Sequence, residues 1–182
     1  KKKKNVWDAQ PYSPAGIVVG HDPVWEQYLA RRDTESVLYP KCLDGINEKT
    51  NGMRFGEITL FTSGTGSGKS TVIKEIVLDL LNKTSYKIGM ISLEESIGDT
   101  AKKFIQMKLE RNLQEYDVAL EEQEEASKAV FGDESLVLLD HQGSVGDESL
   151  IDKIEYMALM GCKYLILDHI TIAVSEGAEG YS

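Results

Sequence analysis

The chain predicts an α/β domain: a mostly parallel sheet flanked by helices, preceded by an extended arm. Two observations carry this. From Gly56 onward, short β-rich or apolar runs alternate with longer segments whose apolar residues recur every three to four positions. The later runs, such as Lys87–Leu93 and Tyr164–Leu167, are largely apolar rather than alternating, as strands covered on both faces are. The size agrees: 182 residues, 41% hydrophobic and 27% charged, suit one domain with a core.

Taken in order, the first 40 residues form the arm. Every proline lies there (Pro11, Pro14, Pro23, Pro40), with Trp7, Tyr12, Trp25 and Tyr28. Asp22-Pro23 is a helix start signal, and Val24, Trp25, Tyr28 and Leu29 follow at helical spacing before Arg31 and Arg32, predicting a short helix over 22–32. Its apolar side needs a cover, either its own domain or a neighbouring subunit. Residues 41–182 form the second region. Glu57–Thr62 predicts a strand, Ser63–Ser70 a glycine-rich loop, and the stripe Val72, Ile73, Ile76, Val77, Leu80, Leu81 a helix. Lys87–Leu93 predicts a buried strand. Ser96 and Asp99 are a capping pair for a helix bearing Ile97, Ala101, Phe104, Ile105 and Leu109. Leu113–Val130 predicts an acidic, solvated helix, Leu136–Leu139 a strand, Glu148–Met160 a helix, and Tyr164–Leu167 a strand ending at Asp168.

Charge and composition exclude several classes. With 30 acidic and 20 basic residues the net charge is −10, which argues against binding nucleic acid over the whole surface but not through a localised basic channel. Cys42 and Cys162 are too few for a disulfide framework and suit a reducing compartment. No run approaches the roughly 18 apolar residues of a membrane span. Lys1–Lys4 are followed by no apolar signal segment, so a cytoplasmic location is expected. The chain starts on Lys rather than Met, and a longer natural protein is the expectation.

The strongest chemical signal is Ser63-Gly64-Thr65-Gly66-Ser67-Gly68-Lys69-Ser70, followed by Thr71. It lies between a predicted strand and a predicted helix, the context a P-loop requires. Glycines let successive N–H groups turn toward one anion, and the helix beginning near Lys69 adds unsatisfied N–H groups and a positive dipole end. Lys69 offers a charge to the β and γ phosphates, and Ser70 a hydroxyl to Mg²⁺. Ser63 stands where the pattern usually has Gly. Asp168, closing an apolar strand, is expected at the carboxyl edge of the sheet, where it could hold the water shell of Mg²⁺. Glu94 and Glu95 lie at the end of another strand; one could activate an attacking water and the other cap a helix. Residue chemistry alone does not separate them.

In combination, Leu43–Asn47, Gly52–Glu57, Ser63–Thr71, Ser92–Ser96 and Leu167–Ile170 resemble the RecA-like motor of hexameric replicative DNA helicases, of the phage bifunctional primase–helicase and Twinkle type. The resemblance runs from about Cys42 to Ser175. It implies an ATP- or dTTP-hydrolysing motor that rings single-stranded DNA and unwinds duplex in the 5′-to-3′ direction. It matches Lys69 and Ser70 to the phosphate-binding lysine and magnesium hydroxyl, Asp168 to the magnesium-associated aspartate and Glu94 to the water-activating base. The arm would match a linker that docks on the adjacent subunit of the hexamer. It further implies a primase and a replicative polymerase as partners, and host cytoplasm for a phage protein. The family's phosphate sensor, DNA-gripping loops and arginine finger have no match here, and no zinc set or acidic primase cluster is visible. The 41–182 region would thus be the front part of a motor domain, inactive alone. The competing readings are a RecA-like strand-exchange or clock-type ATPase and a P-loop small-molecule kinase, the last lacking clustered arginines for a lid.

Overall fold

The computed structural model describes residues 16–32, 34–64, 66–140 and 150–168. The chain divides into two units, Lys1–Glu35 and Ser36–Ser182. In the first, α1 spans His21–Arg32, starting one residue before the predicted cap. Asp22 in its first turn and Arg31 and Arg32 in its last complement the helix dipole. Stacking of Trp25 on Tyr28 (ring centroids 5.0 Å apart) and on His21 (6.0 Å) adds local support. No residue of α1 is buried, and Val24, Trp25 and Tyr28 each stay about half exposed.

The second unit opens with a two-stranded antiparallel ribbon, β1 (Ser36–Val37) against β2 (Met53–Arg54), in register Ser36↔Arg54 and Val37↔Met53. Between them lie a 3₁₀ turn at Lys41–Leu43 and α2 (Asp44–Thr50). Asn47 ties this loop shut, accepting from Tyr39 N–H at 2.8 Å and donating to the Tyr39 carbonyl at 3.1 Å. Tyr39 is consequently a core residue, 3% exposed. Ser36–Pro40, which proline content groups with the arm, therefore packs in this unit. Gly52 closes the turn: its φ is +87°, and a Cβ there would sit 2.5 Å from the Val37 carbonyl oxygen.

The main sheet has the order β4-β3-β5, all parallel: β3 is Lys87–Ser92, β4 Leu136–Asp140 and β5 Cys162–Asp168. The helices α3 (Lys69–Lys83), α4 (Ile97–Leu109), α5 (Leu120–Phe131) and α6 (Leu150–Leu159) surround it. Strand alternation sorts the two cores. Ile88 and Met90 face Ile76, Val77 and Leu80 of α3, with Phe104 of α4 and Val130 of α5. Ile91 and Leu93 face Met157 of α6 and Cys162. Helices on both faces explain why these strands read as continuous apolar runs. The Ser96 cap of α4 forms as expected, accepting from Asp99 N–H at 3.1 Å and donating to Asp99 Oδ2 at 2.7 Å.

Two elements differ from the sequence expectation. The acidic helix begins at Leu120, not Leu113. Asn112 competes for the backbone there: its side-chain oxygen accepts from Gln114 N–H and its carbonyl from Glu115 and Tyr116 N–H, making a local turn rather than a helix start. The strand expected over Glu57–Thr62 forms no ladder among the described residues. A β-rich run needs a bonded neighbour, and this one instead lines, with β5, a cleft of about 470 Å³. Ile58 is 99% exposed as a result, while Phe61 and Thr59 are held by edge-to-face contact and a hydroxyl contact with Tyr39. Among the described residues no helix is long and apolar enough to cross a membrane.

Candidate functional site

The glycine-rich loop Ser63–Ser70 takes the shape its glycines permit. Gly66 (φ +76°) and Gly68 (φ +85°) are left-handed, and Gly68 is the N-cap of α3 without a side-chain cap. A Cβ at Gly64, Gly66 or Gly68 would meet nothing within 4 Å. Glycine is thus required at 66 and 68 by backbone conformation, not by crowding, and the space over the loop is open. Neither Ser63 nor Gly64 is left-handed, so serine at 63 costs the loop nothing in conformation. Ser63 Oγ lies 2.5 Å from Ser67 Oγ, which donates to the Gly64 carbonyl at 2.7 Å, closing the loop on itself. Lys69 Nζ donates to the Ser63 carbonyl at 3.0 Å. No acidic side chain occupies the first turn of α3, so its positive end keeps its field for an anion. Thr65 lies outside the described residues.

Asp168 ends β5 in register with Ser92, the last residue of β3, which pairs on its other side with Asp140. It is 7% exposed, and alternation with Tyr164 and Ile166 puts it on the face that α3 covers. Ser63, Lys69 and Asp168 line the same 470 Å³ cleft. Ser70, half-buried, and Thr71, exposed, follow on the first turn of α3 and do not line it. The Ser92 hydroxyl is buried with no hydrogen-bond partner among the described residues. A serine hydroxyl, a buried carboxylate and an unsatisfied hydroxyl beside it are hard oxygen donors. Hard oxygens of this kind are the donors Mg²⁺ takes, but Ser70 does not line the cleft that Asp168 lines. Among the described residues no group of His, Cys, Asp and Glu forms a fuller metal cage.

The two carboxylates that residue chemistry leaves equivalent have different surroundings. Glu95 Oε2 lies 3.2 Å from Lys74 Nζ of α3 and accepts from Thr100 Oγ1 at 3.4 Å, while Oε1 accepts from Lys103 Nζ of α4. Burial pushes the Glu95 carboxyl up, but the Lys103 hydrogen bond and the two lysine charges outweigh it and leave it below the usual glutamate value. Glu94, one residue earlier in the bend after β3, is exposed. Neither glutamate lines the cleft shared by Lys69 and Asp168.

Lys74 is the residue the sequence reading passed over. It is 1% exposed, among the most completely buried side chains of the unit. The signal was present: at helical pitch Lys74 shares a face with Val77 and Leu81, inside the apolar stripe rather than opposite it. Of the cysteines read as structural, Cys162 is buried, with its thiol pushed up by that burial, and Cys42 is exposed. His141 and His169, and the Ile170–Ser175 end of the resemblance, lie outside the described residues.

Fold and site together define an α/β protein with a parallel sheet, flanking helices and a glycine-turned loop opening a helix. No protein-family model matches the chain. It is similar to the DNA helicase/primase of Enterobacteria phage T3, 32% identical over 186 residues that take in 97% of this chain. The chain spans about a third of that relative's length, 32%. The link to phage DNA helicase/primase is at the level of the family.

Proposed function

We propose that the chain belongs to the RecA-like, nucleotide-hydrolysing motor of a ring-shaped DNA helicase. One observation carries the nucleotide reading. Gly66 and Gly68 turn the backbone in front of Lys69, in a loop that shares a cleft with the buried Asp168. An ATP or dTTP phosphate tail would replace the Ser63 carbonyl as the partner of Lys69, with loop N–H groups and the α3 dipole sharing the negative charge. Ser63–Thr71 would cradle the phosphates. Ser70 and Asp168 would hold Mg²⁺, which when bound neutralises charge on the phosphate oxygens. Glu94 would orient and deprotonate the attacking water. Glu95 suits this task less, since two lysines already engage its carboxylate.

The helicase reading rests on the motif order and on the relationship to a DNA helicase/primase. The half-exposed Val24, Trp25 and Tyr28 of α1 suit a linker that docks on a neighbouring copy, closing a hexamer around single-stranded DNA. A primase and a replicative polymerase are the partners this role calls for. The experiment is nucleotide hydrolysis by the full-length protein with and without single-stranded DNA, alongside negative-stain microscopy with a non-hydrolysable nucleotide. Closed rings, DNA-stimulated hydrolysis and unwinding that needs a free single-stranded tail are expected. Filaments would favour a strand-exchange ATPase, and monomers a small-molecule kinase.

A further inference from the structure

Lys74 poses a question the nucleotide reading leaves open. It places an ammonium at 1% exposure one and a half turns along the helix that opens at the phosphate loop. Burying a lysine is costly unless it is paired, and a solvated surface lysine would stabilise the helix as well without that cost. Its Nζ lies 3.2 Å from Glu95 Oε2, with no well-aligned hydrogen bond among the described residues. The ion pair therefore has a poor claim as a stabilising device, since buried pairs often contribute less than apolar residues of the same volume.

Its position suggests another use. Glu95 is fixed by Lys74 from α3 and by Thr100 and Lys103 from α4. Two residues earlier, Leu93 N–H donates to the Asp168 carbonyl at 2.8 Å. The bend after β3 is thus fastened to β5 on one side of Glu94 and to α3 and α4 on the other. The α3 attachment belongs to the same rigid helix as Lys69. Consecutive side chains in such a segment point to different sides, so drawing Glu95 between the helices turns Glu94 outward, where it is exposed.

We propose that Lys74 and Glu95 are a positioning pair, joining the phosphate-loop helix to the β3–α4 bend and so holding Glu94 where it meets the attacking water. The inference rests on the reading of Glu94 as the base. The pair touches no substrate in this scheme; it acts on the rate of the chemical step and leaves nucleotide affinity alone. Breaking it lets the bend shift, and displacements of order an ångström at a reacting group cost up to about a hundredfold in rate.

The test is steady-state hydrolysis of Mg·ATP and Mg·dTTP by the full-length protein carrying Lys74→Met, Glu95→Gln, both together, or Lys74→Arg. Each charge-removing variant is expected to lower kcat about tenfold or more with KM within about twofold. The double variant should lose no more than the worse single one, because both break one link. Lys74→Arg, which keeps the charge and reach, should recover most of the rate. If Lys74→Met fails to fold, Glu95→Gln, which keeps the side chain's size and removes its charge, carries the test. Wild-type kcat in Glu95→Gln, multiplicative losses in the double variant, or losses confined to KM would overturn the proposal. Lys69→Ala separates the two levels: if it keeps normal turnover, the nucleotide reading itself fails. If it abolishes turnover while the pair variants hydrolyse normally, only the positioning role fails.

Discussion

The glycine-rich loop opens α3 and the β3–α4 bend follows a strand of the main sheet, yet opposite principles hold them. The loop is shaped by backbone conformation: Gly66 and Gly68 are left-handed, no described residue lies within 4 Å of a Cβ built on them, and Lys69 rests on a carbonyl of its own loop. The bend is shaped by side chains: Glu95 is held by two lysines and a threonine, and Phe104 on the helix that follows is wholly buried. The first is open and ready to exchange partners; the second has made its bonds already. The difference teaches where ligand chemistry and where mechanical support are to be sought.

That contrast can be broken from either side. The largest effect is expected in α4, the helix that follows the bend. Phe104→Ala removes a fully buried ring packed edge-to-face on Phe131 and should cost about 3–5 kcal/mol in urea denaturation. Lys69→Ala should do the reverse, leaving the denaturation midpoint near wild type while hydrolysis falls at least about a hundredfold. Gly68→Ala probes the backbone itself. Its Cβ meets no neighbour, so the cost is the left-handed φ alone, about 1–2 kcal/mol by thermal unfolding. Equal costs at Gly64 and Gly68 would contradict that, since Gly64 is not left-handed. The smallest effect concerns acid. Glu95 is held below its ordinary value, so the stability it contributes is complete above the usual glutamate range and declines as pH falls through the lowered value. Acid titration of stability should therefore be flatter in Glu95→Gln than in wild type over that range.

The loop's left-handed turns were legible because their requirement is compositional, glycine at 66 and 68, although the strand expected before them forms no ladder among the described residues. Two strands of the sheet were legible because Lys87–Leu93 and Tyr164–Leu167 are largely apolar runs, and β3 and β5 form there. What stayed hidden depends on neighbours distant in the chain. Glu57–Thr62 has strand composition, but only tertiary structure decides whether a partner lies within bonding distance. Leu113–Ala119 has helical composition, but Asn112 captures its first N–H groups. Glu94 and Glu95 are the same residue twice, and Lys74, 21 positions from Glu95, is what sets them apart.

We propose that this open loop binds a nucleotide whose hydrolysis needs Glu94. This is met most directly by measuring Mg·nucleotide affinity and single-turnover hydrolysis of Glu94→Gln in the full-length protein. The account predicts affinity within about twofold of wild type and a hydrolysis rate lower by about a hundredfold or more. A Glu94→Gln variant that hydrolyses at the wild-type rate would contradict it.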